Sequence, residues 1–288
     1  LKLDGEGKKV WANGMSGEDV TVPSMFLSPK GEMFLAASFG GNMRVGAVTL
    51  SAGETPESEP KSLFAAQLTT AGSARWAREL GARGIVTNLA QDGAGQVLVS
   101  GMFWGLASFN PSAPMRVEKA QVDGSDSFLV KLHASGKICW ARHMDVQRIV
   151  PVPDTSGDAY LCTGLWTLAP ATGPDGSGPR AAQPAVFVKI AADGRVLFKL
   201  SLDAKVGSMS CDDVAVDDKG HAYVVGTRFS DERDPNTGGT SLVPRILKID
   251  GNGNVVSTLD LRASFTTMAS PRIVWSNGRL LGAGVTGT

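Results

Sequence analysis

Two tyrosines, three histidines and three cysteines in 288 residues leave little of the usual side-chain chemistry of active sites. No pair of the histidines has metal-ligand spacing. There is no G-x-S-x-G, no H-E-x-x-H and no P-loop, so the common hydrolase, zinc-peptidase and nucleotide signatures are missing. Three cysteines are too few for a disulfide framework, and an odd number leaves at least one unpaired. Cys139, Cys162 and Cys211 read as small buried hydrophobes, with a single disulfide as the alternative if the protein is exported. Net charge is also lacking: 28 Lys and Arg balance 28 Asp and Glu. Without a basic stripe, nucleic acid is not an expected partner. No apolar run approaches the ~18–20 residues of a membrane span. The chain opens on Leu1 without an apolar leader, which reads as a processed or excised piece.

What the chain does have is a repeat. In SDSFLVKLHASGKICWARHM, from Ser125, an apolar run meets a Gly turn and a second run that carries an aromatic. Around Gly136, Lys131 lies five residues before, Trp140 four after and Met144 eight after. The same offsets give Gln67, Trp76 and Leu80 around Gly72, and Lys189, Phe198 and Leu202 around Gly194. They give Lys248, Ser257 and Leu261 around Gly253, and Lys2, Trp11 and Met15 around Gly7. A fixed internal period is the signature of a repeat architecture. A second unit precedes each of these, as in IVTNLAQDGAGQVLVSGMF from Ile85, IVPVPDTSGDAYLCTGLW from Ile149 and VAVDDKGHAYVVGTRF from Val214. Short β-branched and aromatic runs around a polar Gly turn read as hairpins.

Four strands, a to d, per ~60-residue unit form the unit of a β-propeller. The expected fold is therefore all-β, a propeller of four-stranded blades in one domain spanning 1–288. The blades fall near 16–80, 81–144, 145–202 and 203–261. The C-terminal 262–288 supplies strands a and b, and the N-terminal 1–15 supplies c and d. The expectation is that they share a fifth blade, which leaves no open sheet edge. A window cut from a longer propeller of six or seven blades is the alternative.

The pattern F-L-V-K-L-x-x-x-G-K-x-x-W-A, followed by A-x-D-x-x-G and V-x-V-x-G, resembles the bacterial secreted β-propeller repeat (SBBP-like) family. The resemblance spans nearly the whole chain and is best from Trp76 to Trp140. It departs at Ser257, which replaces the aromatic, and at Ala37, where other units have Gly101, Gly164, Gly226 or Gly284. It implies a propeller fold and a secreted, periplasmic or cell-surface location, and it carries no catalytic residues.

The b–c connections are long, at 40–61, 104–125, 167–183 and 230–241, and share one face with the d–a links. Function concentrates on such loop faces. The candidate ligand-binding residues there are Trp104, Trp166, Phe109, Arg116, Arg83, Asp145, Arg148, Asp212 and Asp213. Trp104 and Trp166 stand out because they end strand b and are not the repeated blade aromatic. The repeated aromatics read as packing between adjacent blades. The repeated Lys reads as a structural side chain that lays its stem on a neighbouring blade and keeps its charge at an edge. Asp92, Asp154 and Asp217 read as Asx turns closed by Gly. DGNGN from Asp250 lacks the Glu of a calcium loop. No metal or cofactor is expected.

The functional expectation is a non-catalytic binding module whose loop face takes a protein or glycan. Two alternatives stand beside it. One is a carbohydrate-active hydrolase using carboxylates among Asp19, Asp145, Asp212 and Asp213. The other is a structural part of a larger surface assembly.

Overall fold

The computed structural model describes residues 1–21, 24–52, 61–109, 115–116, 125–144, 149–163, 185–202, 209–233, 240–261 and 268–286. All the named elements are strands, and the sheets are antiparallel. No described helix is long and apolar enough to cross a membrane. The chain divides into two compact units, Leu1–Asp145 and Val146–Thr288.

The first unit opens with β1 (Lys2–Leu3) and β2 (Lys9–Trp11), a two-stranded sheet. Then come β3 (Met15–Glu18), β4 (Ser24–Leu27), β5 (Met33–Val45), β6 (Val48–Ser51), β7 (Ser62–Leu68) and β8 (Ala74–Gln91). The unit continues with β9 (Val97–Trp104), β10 (Leu106–Ala107), β11 (Met115–Arg116), β12 (Ser125–Leu132) and β13 (Ile138–Met144). Strands β4, β5, β7 and the first half of β8 pair in the order expected for a to d. The second half of β8, with β9, β12 and β13, repeats that order.

Two sequence expectations change here. The link between the first two four-stranded groups is not a loop, because β8 runs through both as one strand. Gly81, at φ 72°, carries an irregularity where Ser62 pairs with Arg83 and Phe64 with Glu79. A Gly in the left-handed region lets a strand bulge and change direction without ending. The first b–c connection is also partly strand: β5 runs on to Val45 and turns at Gly46 into β6, while β3 pairs with its far side. Residues 53–60, the Pro/Glu-rich part, lie outside the described residues.

The second unit holds β14 (Ile149–Pro153), β15 (Ala159–Thr163), β16 (Val186–Ile190) and β17 (Val196–Ser201) as one four-stranded sheet. A second such sheet is β18 (Asp213–Val216), β19 (Ala222–Arg233), β20 (Thr240–Ile249) and β21 (Val255–Asp260). A two-stranded sheet follows, β22 (Met268–Ser276) with β23 (Arg279–Thr286). Strands β19 and β20 extend past the expected loop ends, with Arg233 opposite Thr240. Asp260 on β21 receives Arg245 of β20 at 2.6 and 3.0 Å and Arg228 of β19 at 3.2 Å, tying three strands together. These donors, Arg245 first, hold its carboxyl at about 2.

The repeated aromatic does what its register implies. Trp11 lies on the Gly72 turn and donates from Nε1 to the Thr70 carbonyl at 2.9 Å. Trp76 lies on the Gly136 turn and donates to the Ala134 carbonyl at 2.9 Å. A Cβ at Gly136 would stand 2.6 Å from the indole, so only Gly lets the ring settle there. Phe198 covers Gly253 in the second unit in the same way. In these three cases the strand-d aromatic of one sheet sits on the turn of the next. The Asx turns form as read: Asp92, Asp154, Asp217 and Asp250 each accept backbone N–H groups two and four residues on.

Lys131 and Lys189 do not keep their charge at an edge, which corrects the sequence reading for these two copies. Lys131 is fully buried and its ammonium meets Asp92 Oδ2, in the a–b turn of its own sheet, at 3.0 Å. Lys189 meets Asp158, one residue past the turn glycine of its own a–b hairpin, at 3.3 Å. Gln67, which stands for Lys in the first copy, donates to Glu32 at 3.0 Å. A charge removed from water needs an opposite charge or hydrogen bonds, and an acidic turn residue supplies them.

Two clusters fill the first unit. One includes Phe34, Val99, Phe103, Phe109 and Phe128, the other Phe39, Met43 and Phe64. The second unit packs around Tyr160, Phe187, Leu202, Val224 and Leu247. A Cys162–Cys211 disulfide, with Cα atoms 5.5 Å apart, joins β15 to the segment leading into β18. Cys139 is exposed and unpaired.

Candidate ligand-binding cleft

Trp104 and Arg83 share one rung of the first unit's sheet, where β8 and β9 pair, and Ser125 of β12 flanks Trp104. Trp104 is half-buried at the end of β9. Phe109 is fully buried, with ring centroids 6.1 Å from Phe103 and 4.9 Å from Phe128. It is a core residue with no surface to offer a ligand, which corrects its reading as a rim contact. Arg116 lies in β11, opposite Leu106.

Asp212 and Asp213 are nearly buried. Asp212 accepts from the Ser210 hydroxyl at 2.7 Å. Asp213 accepts the Ile273 N–H at 2.9 Å and its neighbour Val214 N–H at 3.0 Å, which latches β18 to β22. These bonds explain the two carboxylates by architecture. Asp145, Arg148 and Trp166 lie outside the described residues. Among the described residues, no group of three His, Cys, Asp or Glu side chains could hold a metal ion.

The second unit contains a cleft that sequence reasoning did not select. It lies beside the a–b turns of the β18–β19 and β22–β23 hairpins. Its volume is about 380 Å³, and Asp217, His221, Tyr223, Lys248, Trp275 and Gly278 are among its walls. Tyr223 and Trp275 stack at 5.4 Å, nearly parallel at 13°. The Lys248 ammonium stands 5.3 Å from the Tyr223 ring centroid, a cation–π contact. Asp217 Oδ2 meets His221 Nδ1 at 2.9 Å and accepts the Tyr223 hydroxyl at 3.3 Å. Burial works to raise the Asp217 carboxyl. The backbone and ring of His221 and the backbone of Lys219 outweigh it and hold Asp217 below the ordinary carboxylate range. Among the described residues, the buried Trp275 Nε1 has no acceptor, and stacking on Tyr223 holds this indole.

The cleft borders a row of residues in which the repeat breaks. One row crosses each four-stranded group at the level of the conserved-spacing Lys or Gln. In the first unit it reads Phe34–Gln67–Trp76 and then Leu98–Lys131–Trp140. In the second it reads Tyr160–Lys189–Phe198 and then Tyr223–Lys248–Ser257. Ser257 is exposed and too small to cover its neighbours as Trp or Phe does. The cleft itself is walled by Tyr223, by Lys248 and by Trp275 from the next hairpin. The missing aromatic was visible in the sequence. The cleft needed the position of Trp275, which no period predicts.

No protein family model and no curated protein matches this chain. Among solved structures it is similar to a mutant of the Synechocystis apocarotenoid oxygenase, with a TM-score of 0.36 and 9% identity over 96% of this chain and 66% of that one. It is also similar to a GH43_1 enzyme from Xanthomonas citri complexed with xylose, with a TM-score of 0.33 and 11% identity over 91% and 80% of the two chains. The chain thus spans just under two thirds of the oxygenase. Likeness at this level assigns neither fold nor activity.

Proposed function

We propose that this chain is a non-catalytic binding module of the SBBP-like kind, a five-bladed β-propeller that works outside the cytoplasm. Support for the blades is the unbroken spacing of five repeats together with four four-stranded groups, two in each unit. Of the two-stranded sheets, β1–β2 and β22–β23 match the c–d and a–b halves expected of a fifth. The disulfide is a feature of oxidising compartments and favours export. In a closed ring, spin labels at positions 2 and 285 report neighbouring strands, roughly 10–20 Å apart once the label arms are added to the ~5 Å strand spacing. A clearly longer distance would reject the shared blade.

The observation that carries the binding reading is the cleft at Tyr223, Lys248 and Trp275. It combines an apolar wall with a few fixed polar groups, the usual make-up of a small-ligand site. This moves the expected site from the loop face to the side of the a–b turns. Titration of the purified protein with a panel of oligosaccharides and short peptides tests it. Trp275→Ala is expected to weaken the responding ligand by at least about tenfold, roughly 1.4 kcal/mol, while Trp104→Ala leaves it unchanged. Loss in Trp104→Ala alone would return the site to the end of β9. An unchanged affinity in both variants would sink both locations.

A further inference from the structure

We infer that the ligand of this cleft presents a carboxylate to Lys248; the inference rests on the binding reading above. The argument is a comparison of like positions. Three of the four groups give the strand-c polar residue an acidic partner from the a–b hairpin: Gln67 has Glu32, Lys131 has Asp92 and Lys189 has Asp158. In the fourth group the same two places hold Asp217 and His221. Asp217 is taken by His221, by the Tyr223 hydroxyl and by two backbone N–H groups. His221 stands where Asp158 stands in the preceding group and supplies no negative charge. Among the described residues, Lys248 therefore keeps its half-buried ammonium with only the Tyr223 ring beneath it.

Two further features make this ammonium accessible. The strand-d aromatic beside it is replaced by exposed Ser257. The cleft reaches Lys248 from the side of Tyr223 and Trp275. Asp217 and Asp218 also line it. Exposed Lys219 lines it too, so two ammonium groups face two carboxylates; a single negative charge suits Lys248, whereas a dianion such as phosphate would be repelled more strongly by Asp217 and Asp218. A carboxylate attached to an apolar or ring-shaped body suits both the ammonium and the aromatic wall. It can come from an acidic sugar or from a peptide C-terminus.

The test is a titration with four probes: trigalacturonate, its neutral counterpart galactotriose, a hydrophobic tripeptide with a free C-terminus and the same tripeptide amidated. Inorganic phosphate is the fifth arm. The expected result is that one carboxylated probe binds at least about tenfold more tightly than its uncharged partner, and that Lys248→Met removes the difference. Binding should also move the indole Nε1–H resonance of Trp275, assigned with Trp275→Phe. Which pair responds identifies the source of the carboxylate. Equal binding of charged and neutral probes would overturn the carboxylate inference while leaving the cleft a site, as would preferential binding of phosphate. Discrimination that survives Lys248→Met with no change at Trp275 would place the anion elsewhere. Failure of every probe to bind overturns the inference, and the panel titration with Trp275→Ala then decides the binding reading separately.

Discussion

Lys131→Met is expected to destabilise the first unit by about 3–5 kcal/mol, the usual cost of stranding one partner of a buried ion pair. Lys131 and Asp92 have side chains 0% and 1% exposed and meet at 3.0 Å. Asp92 Oδ1 is already engaged by the Ala94 and Gln96 N–H groups. Oδ2 faces the lysine, and methionine fills the lysine's volume without its charge. The carboxylate must then stay ionised without its counter-ion or take up a proton. The loss is large against the 5–15 kcal/mol that typically holds a whole domain. Urea unfolding monitored by near-UV circular dichroism measures it. Lys248→Met is the internal comparison, since its half-open cation–π contact is worth under about 1 kcal/mol. A cost below about 1 kcal/mol for Lys131→Met would show that the pair is not the buried, mutually dependent contact described above.

The second large effect is expected from the Cys162–Cys211 bridge. Its sequence separation of 49 residues corresponds, in the chain-entropy view, to about 4 kcal/mol of stabilisation. The double variant Cys162→Ala/Cys211→Ala removes the link and leaves no thiols to re-pair. It should lower the unfolding midpoint of the second unit by that order, and reduction of the native protein should do the same. Cys139→Ser, at an exposed position outside the bridge, should leave stability unchanged. Alkylation of the denatured, unreduced protein should then tag one cysteine of three. Three tagged cysteines would show that the bridge does not form, and a double variant as stable as wild type would show that the bridge contributes nothing.

Much of the fold was legible because it is local. The Asp-to-Gly turns close on their own backbones, and the strands flanking them pair with their nearest neighbours. The offsets around Gly7, Gly72 and Gly194 correctly placed Trp11, Trp76 and Phe198 as contacts between successive sheets. The same logic failed where pairing partners are remote. The d–a link at Arg83 looked like a loop, yet β8 passes through it because β7 and β9 pair with it on either side. Phe109 looked like a rim residue because it sits in a long connection. It is core because Phe103 and Phe128 meet there. The candidate site was the least legible part: its warning sign was a single departure, Ser257, in an otherwise steady register.

Period, turn chemistry and all-β character were thus determined by the sequence alone, since each depends on residues a few positions apart and on the alternation of a strand. Three matters were decided only by the tertiary structure. Lys131 and Lys189 found acids in their own a–b hairpins, two of three cysteines paired, and Trp275 came to lie on Tyr223 beside Lys248. Each joins segments distant in sequence. A partner at that distance is selected by which sheets pack together, and no local spacing encodes that choice.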